Sequence, residues 1–387
     1  MNSPWVVHMP GDSEARMTSA TVCLNMIVRN EAPVIRRCLD SVSPFIDSWL
    51  IVDTGSEDGT QDRVRECLRL KPGELHERPW RNFGENRNEA LALARGGADY
   101  LFFIDADETL SLPPGFERGD LAADGYYLTC DYAGTSYHRC ALVATRLPWR
   151  WDGVVHECLA CDDRFSLETL DGPRIHIRHD GVRSRDLQTY ARDAALLEEA
   201  VRANPTSTRD VFYLAQSYRD AGELTKSREV YLQRAAMSGW DEEVWFSLYQ
   251  AAVLGERLGL EPGQVTTAYL RAFQHRPSRA EPLVQLARYH RQRGEFALAY
   301  LYARHAAAMP NPADLLFLEN AAYEWRALDE LSIAAYYVGA QNEGREAVQR
   351  LLSSGHVPLS ERPRIVQNAQ FFSVEEERTA AVKDSGC

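Results

Sequence analysis

The sequence predicts an α/β domain built on a mostly parallel, doubly wound sheet, followed by an all-α domain of helical repeats. Three observations predict it. Between residues 21 and 107, four short apolar strands alternate with amphipathic helical runs, the order that lays crossover helices on a parallel sheet. Polar and acidic residues follow those strands at their carboxyl ends, where open α/β sheets bind ligands. Beyond Arg185 the strand pattern stops, and residues 209–242 repeat their spacing of small and aromatic side chains in residues 281–314.

The elements follow in order. Residues 1–19 are polar and mixed and are expected to be a disordered extension. Residues 21–28 are β-rich, Arg29-Asn30-Glu31 breaks the strand, and Pro33 opens a helix through Val42, Pro being favoured in a first helical turn. Residues 48–52 form a second buried strand ending in Asp53 and turn-forming Gly55, Ser56 and Gly59; Thr60 caps a helix over 61–70. An edge-like strand near 74–77 leads to a helix over 83–95. Tyr100-Leu101-Phe102-Phe103-Ile104 is the fourth strand, and it delivers Asp105, Ala106 and Asp107. Residues 126–130 and 140–144 predict a hairpin. With 154–157 and 174–179 they complete an antiparallel second half of the domain, giving a first domain over 20–185.

The helical part spans 186–372, with a tail over 373–387. Leu214-Ala215, Tyr218, Gly222, Tyr231 and Ala235 are echoed by Leu286-Ala287, His290, Gly294, Ala303 and Ala307. The 34-residue block is the tetratricopeptide period, whose helix pairs stack into a superhelix with a concave binding face. Residues 243–280 read as a longer, less regular pair and 315–352 as a degenerate closing pair.

Composition narrows the function. A net charge of −13 argues against a nucleic-acid or anionic-membrane partner, both of which need a basic surface. No apolar run is long enough to span a bilayer, and the start lacks the basic and apolar regions of a signal peptide, so a cytoplasmic protein is expected. Eight cysteines, several in apolar segments, predict reduced thiols rather than a disulfide framework. Cys158 and Cys161 lack a second ligand pair for zinc. Asp105 and Asp107, flanking the small Ala106, suit one Mg²⁺ or Mn²⁺, which takes few protein oxygens and completes its shell with phosphate or water. That points to a metal diphosphate.

Four motifs in order, residues 23–31, 53–60 (DTGSEDGT), 83–88 (FGENRN) and 103–107 (FIDAD), resemble the family-2 glycosyltransferases of the GT-A type. With the helical tail, the chain is similar to the subgroup fused to tetratricopeptide repeats, which includes bacterial enzymes that glycosylate peptides. The resemblance implies that Asp53 recognises the uracil ring of a UDP-sugar, although Asp53 also suits the opening of a turn. Asn30 and Glu31 line the same pocket or remain surface groups. Arg87 and Asn88, at a helix start, face phosphate oxygens or the metal-site carboxylates, an ordinary surface arginine being the alternative. A histidine late in the domain often completes the metal site in this family; His179 matches its place best and His176 is the rival. For an inverting transfer the acceptor needs a base, for which Glu157 is nominated, with Asp152 as the alternative. The Gln-x-x-Arg-Trp signature of processive relatives is absent.

The expectation is a metal-dependent, inverting hexosyltransferase using a nucleotide sugar, with the repeats recognising a peptide or protein acceptor. Two alternatives stand beside it: a saccharide, lipid-linked or small natural-product acceptor with the repeats forming a homodimer, and a non-catalytic scaffold on a relic nucleotide fold.

Overall fold

The computed structural model describes residues 20–372 apart from 120, 133, 134, 179, 187 and 315. The expected extension, the tail and His179 lie outside the described residues. The chain divides between Thr189 and Tyr190 into two compact units.

The first unit runs β1 (Val22–Val28), α1 (Ile35–Val42), β2 (Ser48–Asp53), α2 (Thr60–Cys67), β3 (Gly73–Glu77), α3 (Phe83–Ala94), β4 (Tyr100–Phe102) and β5 (Thr109–Ser111). It continues through β6 (Gly125–Tyr132), β7 (Thr135–Ala144), β8 (Arg150–Asp152), β9 (Cys158–Ala160), β10 (Leu167–His176) and α4 (Val182–Arg185). An eight-stranded sheet has the order β3-β2-β1-β4-β7-β6-β10-β5. Its first four strands are parallel, as the short crossovers predict.

Alternation along β1 divides the core. Val22, Leu24, Met26 and Val28 face Ile35, Leu39, Phe45 and Phe102, while Cys23 joins Leu50, Leu91, Leu101 and Trp149 on the other face. A strand buried on both faces reads as a continuous apolar run. Asn25 is the polar interruption, and its side-chain amide donates to the Ala90 carbonyl at 2.9 Å.

Three details differ from expectation. β6 and β7 pair antiparallel as a hairpin, but β10 runs parallel to β6 and antiparallel to β5, so the second half is mixed. The reversal comes from β8 and β9, a separate two-stranded hairpin in the connection between β7 and β10. Residues 153–157 are therefore its loop rather than a strand. β4 also ends early, at Phe102: the Phe103 N–H still reaches the Ala141 carbonyl at 2.8 Å, and the chain then leaves the sheet with its acids in a loop.

The second unit is helical: α5 (Thr189–Ala203), α6 (Thr208–Asp220), α7 (Leu224–Ala235), α8 (Asp241–Arg257), α9 (Pro262–His275), α10 (Glu281–Gln292), α11 (Phe296–Ala307), a π-helical turn over Ala322–Arg326, α12 (Ala327–Tyr337) and α13 (Gln341–Ser354). The echoed positions are its packing positions: Ala215, Tyr231, Leu286, Ala287 and Ala303 are fully buried. Gly222 and Gly294 close their helix pairs with positive φ, which a side chain disfavours. Gly259 and Gly339 do the same in the two pairs whose sequence echo is faint. No described helix is long and apolar enough to cross a membrane.

One buried ion cluster fixes the irregular chain after α11. Arg279, fully buried, bonds Glu281 and Asp314, donates to the carbonyls of Leu316 and Phe317 at 3.2 Å, and stacks 3.7 Å from the Trp245 ring. Arg279→Met would leave the buried Glu281 carboxylate without its cation, while Asp314 keeps Arg276, and loss of one member of a buried pair costs about 3–5 kcal/mol. Equilibrium denaturation of the full chain is expected to show a loss of that size.

Candidate active site

The carboxyl ends of β1, β2 and β4 bring the predicted segments together. Asn30, just past β1, has φ +55°, a conformation that asparagine tolerates better than most residues. Its N–H donates to Ser56 Oγ and its Oδ1 accepts from the Glu57 N–H, both at 2.8 Å. The Glu31 N–H donates to Thr60 Oγ1 at 2.8 Å. Asn30 thus ties the β1 loop to the β2 loop. Asp53 opens that turn, its Oδ1 accepting from the N–H groups of Gly55 (2.9 Å) and Ser56 (2.8 Å) and from Gln61 Nε2 (3.1 Å). Its Oδ2 is buried without a protein partner.

Residues 103–108 form the acid loop, clasped from three sides. Arg37 Nη2 donates to the Asp107 carbonyl at 3.1 Å while its guanidinium pairs with Asp180 at 2.7 Å. Cys38 Sγ lies 3.4 Å from the Asp105 carbonyl. Asp105 and Glu108 exchange bonds, each N–H accepted by the other residue at 3.0 Å. Glu108 in turn is gripped by Arg139 on β7, at 2.9 and 2.5 Å. The sequence drew no attention to Arg37, Glu108 or Arg139, because their partners lie dozens of residues away.

The start of α3 carries Arg87 into the same site. Asn82 caps the helix, accepting from the Glu85 N–H at 2.8 Å and donating back to Glu85 Oε1 at 2.7 Å, a reciprocal cap of the kind that fixes a first turn. A side chain at Gly84 would meet the Gly153 carbonyl at 2.2 Å, so glycine lets α3 rest on the β8–β9 loop. Asn88 brackets the Trp151 backbone with both amide atoms at 2.8 Å. Arg87 then forks, Nη2 to Asp105 Oδ1 at 2.6 Å and Nε to Glu157 Oε1 at 2.5 Å, with the Trp151 ring 5.1 Å away. Asp105, Arg87 and Glu157 are one hydrogen-bonded chain. Asp152 is exposed on β8.

His176 stands apart from this cluster. Its Nε2 lies 2.8 Å from Ser111 Oγ and its Nδ1 3.5 Å from Asp131, the bonding of a structural histidine.

Charge is balanced unevenly. Lost solvation raises the Asp105 carboxyl, but Arg87 and Arg139 outweigh it and hold it below the usual range. Arg87 loses solvation too, yet Asp105 and Glu157 drive it upward, so it stays protonated. Glu31 is pushed up to about 7, first by burial and then by the charge of Asp107. Its Oε2 is buried and unpartnered, and a Cβ at Gly181 would come within 3.0 Å of Asp107 Oδ2 and 3.2 Å of the Glu31 oxygens, a tight fit. Among the described residues no group of three or more His, Cys, Asp and Glu side chains is arranged to hold a metal ion. The carboxylates of Asp107 and Glu31 converge beside Gly181 and one Glu31 oxygen is buried without a partner, two oxygen-donor groups of the kind a hard divalent ion takes while phosphate or water fills the rest of its shell.

Residues 23–112 match the family model described as Glycosyl transferase family 2. The chain is 30% identical over 313 residues to the TPR repeat-containing protein Synpcc7942_0270 of Synechococcus elongatus, covering 75% of each chain. It is also 30% identical over 92 residues to the SPbeta prophage-derived glycosyltransferase SunS of Bacillus subtilis, covering 24% of this chain and 21% of that one. Among solved structures, a crystal structure of MamA aligns at 14% identity over 52% of this chain and 97% of that one, with a TM-score of 0.33, too slight a likeness to weigh. The family model and the likeness to SunS mark the chain as a glycosyltransferase. The chain belongs to the family of the Synechococcus TPR repeat-containing protein, and its residues 23–112 are a glycosyl transferase family 2 domain.

Proposed function

We propose that this glycosyltransferase moves a hexosyl group from a UDP-sugar to a peptide or protein acceptor with inversion, assisted by Mn²⁺ or Mg²⁺. The observation that carries the reading is the Asp105–Arg87–Glu157 chain beside Asp107. It joins acids suited to a metal diphosphate with a carboxylate suited to an acceptor proton.

Bound Mn²⁺ or Mg²⁺ would supply charge neutralisation for the leaving diphosphate; Asp105, Asp107 and His179 are the residues proposed to hold it. Arg87 adds a fixed positive charge where negative charge develops on the leaving oxygen, and a preorganised group of this kind needs no reorganisation during the reaction. Asp53 offers its unpartnered Oδ2 to a ring N–H of the base, a charge-assisted bond, while Asn30 keeps the two nucleotide-side loops together and Glu31 faces the acids. Ala106 keeps the space between the acids small. Asn88 orients Arg87 and the 151–157 segment rather than touching the nucleotide. Glu157 takes the proton of the acceptor nucleophile as the sugar–oxygen bond to the diphosphate breaks and the new glycosidic bond forms. Asp152 is the second candidate for that step.

The acceptor reading rests on the repeats of residues 186–372. There, a cavity of about 730 Å³ is lined by Arg288, Trp325, Asp329, Tyr336, Arg364 and Phe371, among others. Aromatic faces beside guanidinium and carboxylate groups suit a peptide, which presents apolar side chains and charges together. The test uses the full chain with a panel of nucleotide sugars, read by nucleotide release, with peptides and simple saccharides as acceptors. UDP-sugar turnover stimulated by peptide is expected. Trp325→Ala is expected to raise the peptide KM about tenfold, a typical effect of losing an aromatic anchor, with donor hydrolysis unchanged. Equal use of saccharides and a silent Trp325→Ala would point to repeats that pair two copies instead.

A further inference from the structure

Glu108 sits one residue beyond the acids of the donor site, yet its side chain is only 4% exposed. Its two oxygens receive three donors: Oε1 takes Arg139 Nη1 at 2.9 Å, and Oε2 takes Arg139 Nη2 at 2.5 Å and the Asp105 N–H at 3.0 Å. The Glu108 N–H closes the ring by donating to the Asp105 carbonyl. The backbone of the acid at the head of the loop is thus fixed by the carboxylate at its end. That carboxylate is fixed in turn by an arginine from β7, a strand paired with β4.

We infer that Glu108 and Arg139 form a positioning pair for sugar transfer, holding the acid loop in its working shape through the Asp105 N–H without touching donor or acceptor. This inference rests on the proposed donor site. An ion held by side chains on a short loop tolerates little displacement of those side chains, and Arg139 supplies a rigid two-pronged grip that lysine cannot reproduce. The pair also matches charge locally: Arg139 neutralises Glu108 and leaves Arg87 to Asp105 and Glu157. A glutamine at 108 has one acceptor oxygen, so its NH₂ group must face one Arg139 N–H, donor against donor, and in one of its two orientations the Asp105 N–H as well.

The test compares Glu108→Gln, Arg139→Met and Arg139→Lys with the unaltered full chain. Two readouts are used: hydrogen exchange of amides in segment 103–110, and calorimetric affinity for UDP with Mn²⁺ beside kcat and KM for donor and acceptor. In Glu108→Gln and Arg139→Met the segment is expected to exchange at least tenfold faster. UDP affinity with Mn²⁺ should fall about tenfold, and acceptor KM should stay within twofold. Arg139→Lys should recover part of both losses. Unchanged exchange in both variants would overturn the inference, as would faster exchange with donor affinity and kcat/KM intact. If Glu108→Gln does not fold, Arg139→Lys against the unaltered chain decides by the same readouts. If the unaltered chain binds no UDP with Mn²⁺, the donor reading fails, and the exchange comparison, which needs no nucleotide, still decides whether the pair holds the loop.

Discussion

Asp107→Ala is expected to lower UDP-sugar turnover by roughly 10³-fold or more, the scale on which removal of a main electrostatic group acts, while the protein stays folded. The reason lies in what the side chain does locally. Asp107 follows the strand-end acid Asp105, its carbonyl is held by Arg37, and its Oδ2 lies 3.3 Å from the Gly181 N–H. Removing the carboxylate keeps the Arg37 bond to the carbonyl, loses the Gly181 bond and relieves repulsion with Glu31, so stability should change little. Turnover assays beside thermal unfolding separate the two effects. Retained turnover in a folded Asp107→Ala would place the donor's diphosphate elsewhere.

Arg87→Met is expected to harm both activity and stability. Glu157 is 10% exposed at its side chain and Asp105 is 46% exposed, so methionine would strand one buried carboxylate and one half-exposed one. Breaking a buried pair costs about 3–5 kcal/mol; the exposure of Asp105 puts the expected loss near the low end, about 3 kcal/mol. The same substitution removes a fixed positive charge from the proposed leaving-group side, for which a loss of about 10²-fold in kcat is expected. Arg87→Lys keeps the charge and loses the fork, so it should recover stability less well than activity. Denaturation midpoints and kcat measured on the same preparations check both.

Local pattern carried much of this site. The apolar run before Asp105, the turn formers after Asp53 and the asparagine-rich start of α3 are short-range signals, and each fell where the structure places it. The repeat was legible at Leu286 and Ala287, which the helix packing buries completely, and at Gly294, whose positive φ the turn requires. Sequence alone did not reveal what depends on long-range pairing. β10 runs parallel to β6 because of where the β8–β9 hairpin returns the chain, which no residue in β10 encodes. Glu157 read as following a strand, whereas the positive φ of Gly153 and His156 makes its segment a loop against α3. Asn88 carries a polar side chain in a promising place, but both its amide atoms are bound to the Trp151 backbone. Glu108 looked like one more acid after the pair, and only Arg139, 31 positions away, distinguishes it.

The central claim is that the acid loop binds a UDP-sugar through its diphosphate and a divalent ion. Calorimetric titration of the full chain with UDP tests it most directly, with Mn²⁺ present and then removed by chelation. The account predicts saturable one-to-one binding with Mn²⁺, at least about tenfold weaker after chelation and lost in Asp107→Ala. UDP binding of equal strength without the ion and in Asp107→Ala would contradict it.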